Sequence, residues 1–393
     1  MTSTLATDFD YVLVGGGLSS CLLALALFRH RPGVRVALVE REPRLGGNHL
    51  WCFHAGDVEK AHDFVAPLVA QRWPRYEVRF PGLERVLDEP YAAVTSQRLD
   101  RVVQRAFEEQ HGSRPFLSRS AQHVEATRVL LDGGEELRAS VVIEARGPNA
   151  FDPSGAAGYQ KFLGLELALR RPCPLRDPLL MDAQLPQRDG FRFMYGLPLA
   201  SDRVLLEDTY FSDSPGLDEA QTEAEIMAYS RRLGCEVDRI ERRETGCLPL
   251  PTRMPGWERP GAQAPLVAGY QGGWFHPLTG YSFPVAVRLA HAVATAAPER
   301  LRDEAWPALQ REHGGQFRFA VLLNRLLFTA FAPEQRWGAI ERFYRLPSPV
   351  VRRFYALSLT RGDRLRLLCG RPPRGFSLSR ALSSNPARAE AAS

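Results

Sequence analysis

Two short apolar runs flank a glycine turn and an apolar helical stretch near the start of the chain. Residues 10–14 have the pattern of a strand and residues 15–17 are glycines. The helical stretch reaches about residue 30, and residues 34–40 form a second strand. Strand, glycine turn, helix and strand in this order are typical of a nucleotide-binding βαβ unit. The pattern therefore predicts an α/β Rossmann domain.

Three residues of this unit have the chemistry to bind a dinucleotide. Gly15 and Gly17 let the backbone approach a pyrophosphate, toward which the following helix directs its N–H groups. Glu40 ends the second strand, where it can accept a hydrogen bond from a ribose hydroxyl. Ser20 replaces the third glycine of the usual fingerprint, a small change that close helix–strand packing tolerates. A structural glycine turn is the alternative, but the register of strand, helix and acid favours a dinucleotide site.

Further glycine-containing turns follow apolar runs later in the chain. They lie at residues 44–47, 141–147, 266–270 and 276–282, and the last precedes an apolar helix start. In order and spacing, these blocks resemble the FAD domain of glutathione-reductase-like flavoproteins, including p-hydroxybenzoate-hydroxylase-like members. The resemblance implies FAD rather than NAD as the tightly bound cofactor. The candidate cofactor-binding residues are Gly15, Gly17, Glu40, Arg44, Gly46, Gly47, Gly147, Gly269, Pro277, Gly280 and Tyr281.

Between these blocks the pattern changes to that of an inserted antiparallel sheet. Residues 190–199 and 203–211 have the pattern of strands, and residues 220–234 show a helical rhythm. From residue 299 the pattern is helical. We therefore expect a discontinuous FAD-binding domain (1–80, 96–160 and 245–298), a substrate-binding sheet domain (81–95 and 161–244), a basic amphipathic helical region (299–375) and a disordered tail (376–393).

Positive charge is concentrated toward the C-terminus. The formal net charge is +5, yet residues 316–375 contain twelve arginines against three carboxylates, a balance of +9. Nucleic acid is not favoured as the partner, because no zinc-finger spacing, basic heptads or RNP-like motif accompanies the charge. Arg318, Arg325 and Thr329 share one face of a predicted helix whose other positions are apolar. We expect this region to contact an anionic membrane surface, with an ordinary solvated helical domain as the alternative.

No transmembrane helix is expected. The uncharged run at 11–28 is broken by three glycines, and the run at 260–287 contains four prolines and five glycines. No basic segment precedes the first run, and the six cysteines form no C-x-x-C pair. No metal site is expected, because His49, Cys52 and His54 lack a fourth ligand. These features predict a protein without a signal peptide, attached peripherally to the cytoplasmic face of a membrane.

Five short sequence motifs resemble those of one enzyme family. They are Gly46-Gly-Asn-His-Leu-Trp-Cys-Phe-His54, Leu180-Met-Asp-Ala183, Leu205-Leu-Glu-Asp-Thr209, Phe275-His-Pro-Leu-Thr-Gly-Tyr-Ser282 and Arg342-Phe-Tyr-Arg-Leu-Pro347. All five are similar to segments of the bacterial lycopene β-cyclases, and the similarity covers residues 10–375. It implies a flavin-dependent intramolecular lyase or isomerase of carotenoid biosynthesis, acting on lycopene and other ψ-ended carotenoids.

The resemblance also implies a reaction without net oxidation or reduction. A terminal double bond of lycopene is protonated, a neighbouring double bond attacks the carbocation, and loss of a proton completes a β ring. The product is γ-carotene and then β-carotene. FAD acts in its reduced form, with NADPH as the reductant. The sequence leaves four questions open: whether one or both ends of the substrate react, whether β or ε rings form, whether NADPH or NADH is the reductant, and what the oligomeric state is.

Four residues are candidates for the catalytic site. Glu207 matches the acid of the family, and its apolar neighbours would raise its pKa by desolvation; the alternative is a strand residue that faces solvent. Asp208 competes for this role, because neighbouring strand residues face opposite sides and the alternation does not decide which side is buried. For His276 the alternatives are a ring that faces the flavin or substrate and a ring that packs or caps a helix. For Asp182 they are hydrogen bonds that support the cleft and a plain turn.

Other function classes share part of this pattern. An FAD-dependent monooxygenase or a prenyl-lipid reductase would also have the FAD blocks and bind a hydrophobic substrate. A non-enzymatic, flavin-bearing membrane adaptor would explain the basic region, but not an acid within the apolar strand around Glu207. The Leu-Glu-Asp-Thr and Phe-His-Pro-Leu-Thr-Gly-Tyr phrases favour the cyclase.

Overall fold

The structure is a computed structural model that describes residues 7–58, 61–147, 156–254 and 261–383. Its strands are β1 (Phe9–Val14), β2 (Val36–Glu40), β3 (Leu50–His54), β4 (Gln71–Trp73), β5 (Tyr76–Phe80), β6 (Leu83–Leu87), β7 (Tyr91–Thr95), β8 (Arg114–Leu117), β9 (Ala121–Val124), β10 (Arg128–Leu131), β11 (Glu136–Glu144), β12 (Ala156–Leu169), β13 (Leu179–Asp182), β14 (Phe191–Ala200), β15 (Arg203–Ser212), β16 (Val237–Pro251) and β17 (Leu266–Val267). Its helices are α1 (Leu18–His30), α2 (His62–Val65), α3 (Ser96–Glu108), α4 (Glu219–Arg232), α5 (Phe283–Thr295), α6 (Pro298–Arg300), α7 (Trp306–Ala330), α8 (Trp337–Tyr344), α9 (Ser348–Tyr355), α10 (Arg361–Leu368) and α11 (Leu378–Ser383).

The first sheet contains the predicted βαβ unit. Its strand order is β8-β2-β1-β11-β10-β9, with β17 beside β11. β1 pairs in parallel with both β2 and β11, and helices α1 and α5 cover one face of this sheet. Because layers cover both faces, Val12 and Leu13 of β1 are fully buried although they point in opposite directions. The predicted Rossmann architecture is confirmed.

The second sheet has seven strands in the order β16-β12-β15-β14-β13-β5-β6. Its strands are antiparallel, except that β13 and β5 are parallel. One face packs on α4 through residues such as Leu206 and Ile226. The other face carries Leu205 and Phe211 and packs against the C-terminal helices and a small sheet of β3, β7 and β4. The inserted antiparallel sheet is therefore present and separates two environments.

Strand membership departs from the expected domain boundaries in four places, one of which is β12, a strand of the second sheet that starts before the expected boundary at residue 161. β5 ends at Phe80 and belongs to the second sheet, although the expected boundary lies at residue 81. β7 belongs to the small three-stranded sheet rather than to the second sheet. β16 continues through residue 245 without a break. The boundaries were expected where the sequence pattern changes, whereas backbone pairing carries each strand across that change.

The C-terminal helices pack on the second sheet. In α7, Phe317, Val321 and Leu327 are buried, while Arg318 and Arg325 are exposed, which matches the predicted polar face. Leu322 also lies on the outside, 41 % exposed. The expected amphipathic character of the region is therefore present, with an exposed leucine between the exposed arginines.

Some of the C-terminal positive charge lies inside the protein. Arg336 is 1 % exposed and donates to the carboxylate of Asp213 at 2.6 Å and to the carbonyl of Phe211 at 3.2 Å. Its guanidinium also lies 4.2 Å from the ring centroid of Phe328. These contacts connect the start of α8 to the second sheet. Arg336 therefore belongs to the protein interior and not to a surface that could bind a partner.

The end of the described chain is more ordered than expected from its composition. Phe376 forms an isolated β-bridge with Phe331, and residues 378–383 form α11. The disordered tail was expected to begin at residue 376, and its remaining residues, 384–393, lie outside the described residues. Within the described ranges, no helix is long and apolar enough to cross a membrane.

Candidate active site

The glycine loop after β1 lies against the end of β11. Gly15 has φ +98°, and a Cβ atom there would lie 2.9 Å from the carbonyl oxygen of Ala145. The N–H of Gly46 donates to the carbonyl of Gly16 at 2.8 Å, which brings the second predicted turn onto the loop. Gly17 is exposed and precedes α1, which has no side-chain cap and no acidic residue in its first turn. The first N–H groups of α1 can therefore bind an anion.

Glu40 lies at the end of β2, directly beside this loop. Its carboxylate accepts hydrogen bonds from the N–H groups of Gly16 and Glu42. Each carboxylate oxygen has a second lone pair. Glu40 can thus accept a hydroxyl hydrogen while it stays bound to the loop.

The later glycines reach the same place from other segments. Gly269, with φ +62°, follows β17, and a Cβ atom there would lie 3.5 Å from the hydroxyl oxygen of Ser19 in α1. Gln271 donates to the carbonyl of Gly147 at 2.8 Å. The fold therefore brings these predicted glycines to the N-terminal end of α1.

Arg44 and Gly47 border an open groove on the other side of the turn. The groove has a volume of about 900 Å³ and is also lined by α3, including Gln97, Arg101 and Arg105. Gly47 has φ +61°, a left-handed conformation that glycine adopts readily. This groove begins beside the glycine loop and continues over the protein surface.

The turn at residues 276–282 is fixed by contacts from several elements. Asn324 of α7 donates to the carbonyl of Pro277 at 2.9 Å, and the hydroxyl of Tyr270 donates to the carbonyl of Gly280. Gly280 has φ +66°. The N–H of His276 donates to the carbonyl of Tyr281 at 2.8 Å. α5 starts directly after this turn without a side-chain cap, and because Pro284 has no N–H, the N–H groups of Phe283 and Val285 are the ones that could contact a ligand.

Tyr281 directs its hydroxyl to Asp57, a residue that the sequence patterns did not reveal. The hydroxyl donates to Oδ2 of Asp57 at 3.1 Å, and the N–H of His54 donates to the same oxygen at 3.0 Å. Burial raises the pKa of Asp57 to about 7. A buried acid that joins β3 to the 276–282 turn has no periodicity of its own, so only the tertiary structure identifies it.

His276 is 1 % exposed, and its ring lies 4.7 Å from that of Phe354. Its Nδ1 accepts the N–H of Leu278 at 3.2 Å. Burial lowers the pKa of His276 to about 3, so the ring is neutral near pH 7. Of the two predicted alternatives, these contacts are those of a packing and turn-stabilising residue.

Glu207 lies on the face of β15 that also carries Leu205 and Phe211 and that packs against the C-terminal helices and the small sheet. This face is called the cleft face. Glu207 stands opposite Tyr195 of β14 on one side and Gly164 of β12 on the other. The hydroxyl of Thr209 donates to its Oε1 at 2.7 Å. Burial is the main cause that raises the pKa of Glu207, to about 8, so the carboxyl group holds a proton near pH 7.

Asp208 faces the opposite side of the same strand. Its side chain is fully buried and binds Arg192 through three contacts of 2.7 to 3.1 Å, and Tyr210 donates to it at 3.0 Å. The register places Asp208 opposite Met194 and Leu163, which belong to the core against α4. Asp208 therefore points away from the cleft that Glu207 faces.

Asp182 lies on the same side of the sheet as Asp208, in the register position opposite Met194. Its Oδ1 accepts the N–H of Gln184 at 2.9 Å, and its Oδ2 accepts the hydroxyl of Tyr229 in α4 at 2.7 Å. The Tyr229 contact joins α4 to the sheet, and the Gln184 contact is local to the turn after β13. The structure therefore does not bring Asp182 to Glu207.

A chain of polar groups that sequence reasoning missed starts at Tyr195, which stands opposite Glu207. The hydroxyl of Tyr195 donates to Sγ of Cys52 at 3.0 Å and contacts the hydroxyl of Tyr91 at 3.2 Å. Burial raises the pKa of the Cys52 thiol to about 12, so it stays neutral. These residues come from β14, β3 and β7, and no local spacing links them.

An apolar cavity of about 210 Å³ lies between the second sheet and the C-terminal helices. Phe211 of β15 lines it, together with Leu278 and Thr279 of the 276–282 turn. Phe211 shares the cleft face with Glu207 and lies four residues further along the strand, about 13 Å away. The other walls of the cavity are formed mainly by Leu323, Leu327, Phe343, Phe354, Tyr355 and Phe376.

Residues 10–381 match the family model described as lycopene cyclase protein. The chain belongs to the lycopene cyclase family. Lycopene β-cyclase of Pantoea ananas is 39 % identical over 369 residues, with 93 % of this chain and 95 % of that protein covered. The Pseudescherichia vulneris enzyme of the same name is 41 % identical, with 93 % and 94 % covered. The predicted family is confirmed, and this lycopene cyclase family member is an enzyme.

Solved structures with this fold belong to other members of a broad group. A probable FAD-dependent monooxygenase from Pseudomonas aeruginosa aligns with a TM-score of 0.61 at 20 % identity, covering 84 % of this chain and 97 % of that chain. The p-nitrophenol 4-monooxygenase of Pseudomonas putida gives 0.63 at 15 % identity, covering 91 % and 100 %. At such identities the likeness shows the fold alone, and it confirms the predicted p-hydroxybenzoate-hydroxylase-like architecture for this lycopene cyclase family member.

Proposed function

We propose that this enzyme is a lycopene β-cyclase that converts the ψ ends of lycopene to β rings, by way of γ-carotene to β-carotene. The observation that carries the proposal is Glu207, a carboxyl group whose pKa is raised to about 8 on the cleft face of an apolar sheet. Protonation of an alkene needs an acid that is still protonated near pH 7. Relatives named lycopene β-cyclase that match most of the chain support the choice of substrate.

Glu207 supplies the proton in this proposal. Its Oε1 accepts the hydrogen of the Thr209 hydroxyl, which leaves Oε2 to carry the acidic proton. Transfer of that proton to the terminal double bond leaves a tertiary carbocation, and a neighbouring double bond closes the ring. A proton then leaves the ring, so the reaction has no net consumption of protons or electrons.

The surroundings of Glu207 are largely apolar and suit a cation. Leu205, Phe193 and Phe211 on the same face belong to one buried apolar cluster. Aromatic rings attract positive charge through their π faces, so Phe193 and Tyr195 can stabilise the carbocation. Water that reached the cation would trap it as an alcohol, and a dry cleft prevents that side reaction.

The residues around the glycine loop fit FAD. Gly15, Gly17 and the first turn of α1 would hold the pyrophosphate, Glu40 the ribose, and the 276–282 turn with the start of α5 the flavin ring. Arg44, Gly46, Gly47, Gly147 and Gly269 complete the predicted set. The two helix N-termini without side-chain caps are the structural observation in favour. Reduced FAD, with NADPH as its reductant, would supply an electron-rich ring that stabilises positive charge.

The domain division is part of the same proposal. We propose the FAD-binding domain as residues 1–80, 96–160 and 245–298 and the substrate domain as 81–95 and 161–244, adjusted by the strand memberships given above. The first sheet would then bind the cofactor and the second would supply Glu207. The cleft on the Glu207 face of the second sheet is the proposed reaction site.

The apolar cavity is the proposed route of lycopene and other ψ-ended carotenoids. Its outer wall includes Leu368, Gly370 and Pro372, which are exposed. Leu365 and Leu378 nearby in the chain are each 63 % exposed. Arginines 361, 366, 371, 374 and 380 are exposed in the same segment.

Exposed leucines among arginines suit the interface of an anionic membrane, where a long hydrocarbon substrate dissolves. We propose peripheral attachment at the cytoplasmic face of the membrane through residues 361–380. Flotation with vesicles that contain anionic lipid, compared with neutral vesicles, tests this attachment.

The proposed activity is tested in cells that accumulate lycopene. Expression of the chain should convert the pigment to β-carotene, identified by chromatography. Glu207→Gln should retain bound flavin and lose the product, whereas Glu236→Gln, an exposed pair with Arg171, should leave it unchanged. Normal β-carotene formation by Glu207→Gln would overturn the role of Glu207. A hydroxylated or saturated product from the unaltered chain would indicate a monooxygenase or a reductase instead.

A further inference from the structure

The strand register places a second carboxylate on the same face as Glu207. Gly164 of β12 stands opposite Glu207 of β15 and also opposite Glu244 of β16. Residues that stand opposite each other in neighbouring strands point to the same side of a sheet. Glu207 and Glu244 therefore share the cleft face, with one residue between them.

That intervening residue is a buried glycine. A Cβ atom at Gly164 would lie 3.4 Å from Oε2 of Glu207, so the carboxyl group leans over the glycine. No side chain at this position can separate the two acids. The charge of Glu244 therefore acts on Glu207 across a gap of about two strand spacings, roughly 10 Å.

Glu244 is held in place as a carboxylate by two partners. Its Oε2 accepts Arg242 at 2.8 Å and its Oε1 contacts Nδ1 of His49 at 3.1 Å. The Glu244 side chain is 8 % exposed, while His49 is 57 % exposed. Arg242 is shared with Glu166 at 3.0 Å, so its charge is divided between two acids.

The other groups that face Glu207 leave Glu244 as the main charged influence on its proton. Desolvation is the largest cause of its raised pKa. The Thr209 hydroxyl and the Arg242 charge act in the lowering direction, whereas Glu244 and then Asp208, behind the sheet, raise it. Cys52 of β3 and the tyrosines of β7 and β14 add no charge, because burial raises their pKa values.

We propose that Glu244 is a positioning residue of the cyclisation, whose carboxylate, oriented by Arg242 and His49, keeps the proton on Glu207 across Gly164. The inference rests on the proposed function, since it requires Glu207 to be the acid. When Glu207 has given its proton to the polyene, two carboxylates face each other across the glycine. Their repulsion favours return of a proton, which the ring releases in the last step.

The pH dependence of cyclisation tests this role. The rate of the unaltered enzyme should fall as pH rises through the pKa of Glu207, because the acid is then ionised. Glu244→Gln removes a negative charge and lowers that pKa, so the alkaline limb should move to lower pH by about one unit. At low pH the rate should stay near that of the unaltered enzyme. Glu244→Asp keeps the charge and should restore the original limb.

A matched control concerns the opposite face of β16, where Glu223 of α4 contacts Arg243. Glu223→Gln removes an ion pair with Arg243, the neighbour of Glu244 that faces α4, at 3.0 Å. It should leave the limb in place. A loss of rate at every pH in Glu244→Gln, without a shift of the limb, would mean that Glu244 has only a structural role.

A second pair of variants leaves Glu244 untouched, in case Glu244→Gln does not fold. His49→Lys places a permanent positive charge beside the carboxylate at an exposed position, so it should shift the limb in the same direction. His49→Gln adds no charge and should shift it less. Equal limbs for both His49 variants and the unaltered enzyme would overturn the inference.

The failure of this inference is distinct from the failure of the proposed function. If Glu207→Gln retains activity, Glu207 is not the acid and the proposed mechanism fails. If Glu207→Gln is inactive at every pH and the Glu244 and His49 variants keep the original limb, only the role of Glu244 fails.

Discussion

The two faces of β15 hold neighbouring acids in opposite ways. Asp208 is fully buried, but Arg192 and Tyr210 satisfy its carboxylate. Glu207, one residue earlier, has no cation in direct contact among the described residues and holds its proton near pH 7. Burial alone therefore does not mark a catalytic acid. A buried acid with a matched charge is held in an ion pair, whereas one without it retains a proton that chemistry can use.

The largest effect expected on the structural face comes from Asp208→Ala. The change leaves the buried guanidinium of Arg192 with only Glu225, at 3.2 Å, as a carboxylate partner. Removing one member of a buried pair costs about 3–5 kcal/mol of unfolding free energy. Urea unfolding of Asp208→Ala and Glu207→Gln checks this, and the second variant should not be destabilised. Equal destabilisation of both would contradict the comparison.

A smaller loss is expected where α4 meets the same face. Tyr229→Phe removes the hydroxyl that donates to Asp182, and leaves a buried carboxylate oxygen without that hydrogen bond. Such a loss costs about 1–3 kcal/mol. Thermal unfolding measures it, and β-carotene formation per folded molecule should not change. A fall in activity of the folded protein would instead place Asp182 in the reaction.

The raised pKa of Glu207 on the cleft face should make the free energy of unfolding depend on pH. Because folding raises the pKa of Glu207 from 4.5 to about 8, the folded state binds more protons than the unfolded state between these values. The group's contribution is fully present below pH 4.5 and is lost as pH rises through about 8. Glu207→Gln should therefore gain stability over the unaltered chain with rising pH. We expect about 1 kcal/mol between pH 5 and 8, allowing for solvent screening.

The smallest expected effect concerns the hydroxyl beside Glu207. The hydrogen bond from Thr209 to Oε1 lowers the pKa of Glu207. Thr209→Val removes this bond and should therefore raise that pKa. The alkaline limb of the cyclisation rate should move to higher pH by a few tenths of a unit. A pH–rate profile measures this. A shift to lower pH would contradict the assigned hydrogen bond.

The regular parts of the fold could be predicted from local patterns. The βαβ unit, the inserted sheet and the order of glycine turns each have a periodicity or a spacing of their own. The choice between Glu207 and Asp208 needed more, because alternation along a strand is symmetric between its faces. Only the packing of α4 through Tyr229 and Ile226 on one face decides which acid faces the cleft.

Residues joined across the chain were beyond the reach of sequence patterns. Cys52, Tyr91 and Tyr195 meet from three strands. Glu244 and Glu207 reach the same face through the register of β12 with its two neighbouring strands. The membership of β5 in the second sheet also depends on pairing between distant segments. Such contacts follow from how strands align, which no short window of the sequence specifies.

The buried anchor at Arg336 has a consequence for motion. Because this guanidinium binds Asp213 and the carbonyl of Phe211, the helices that follow are fastened to the end of the strand that carries Glu207. They cannot swing outward as an independent arm without exposing a charge that is stabilised inside. Any movement of these helices would therefore act on the strand that carries the proposed proton donor, Glu207.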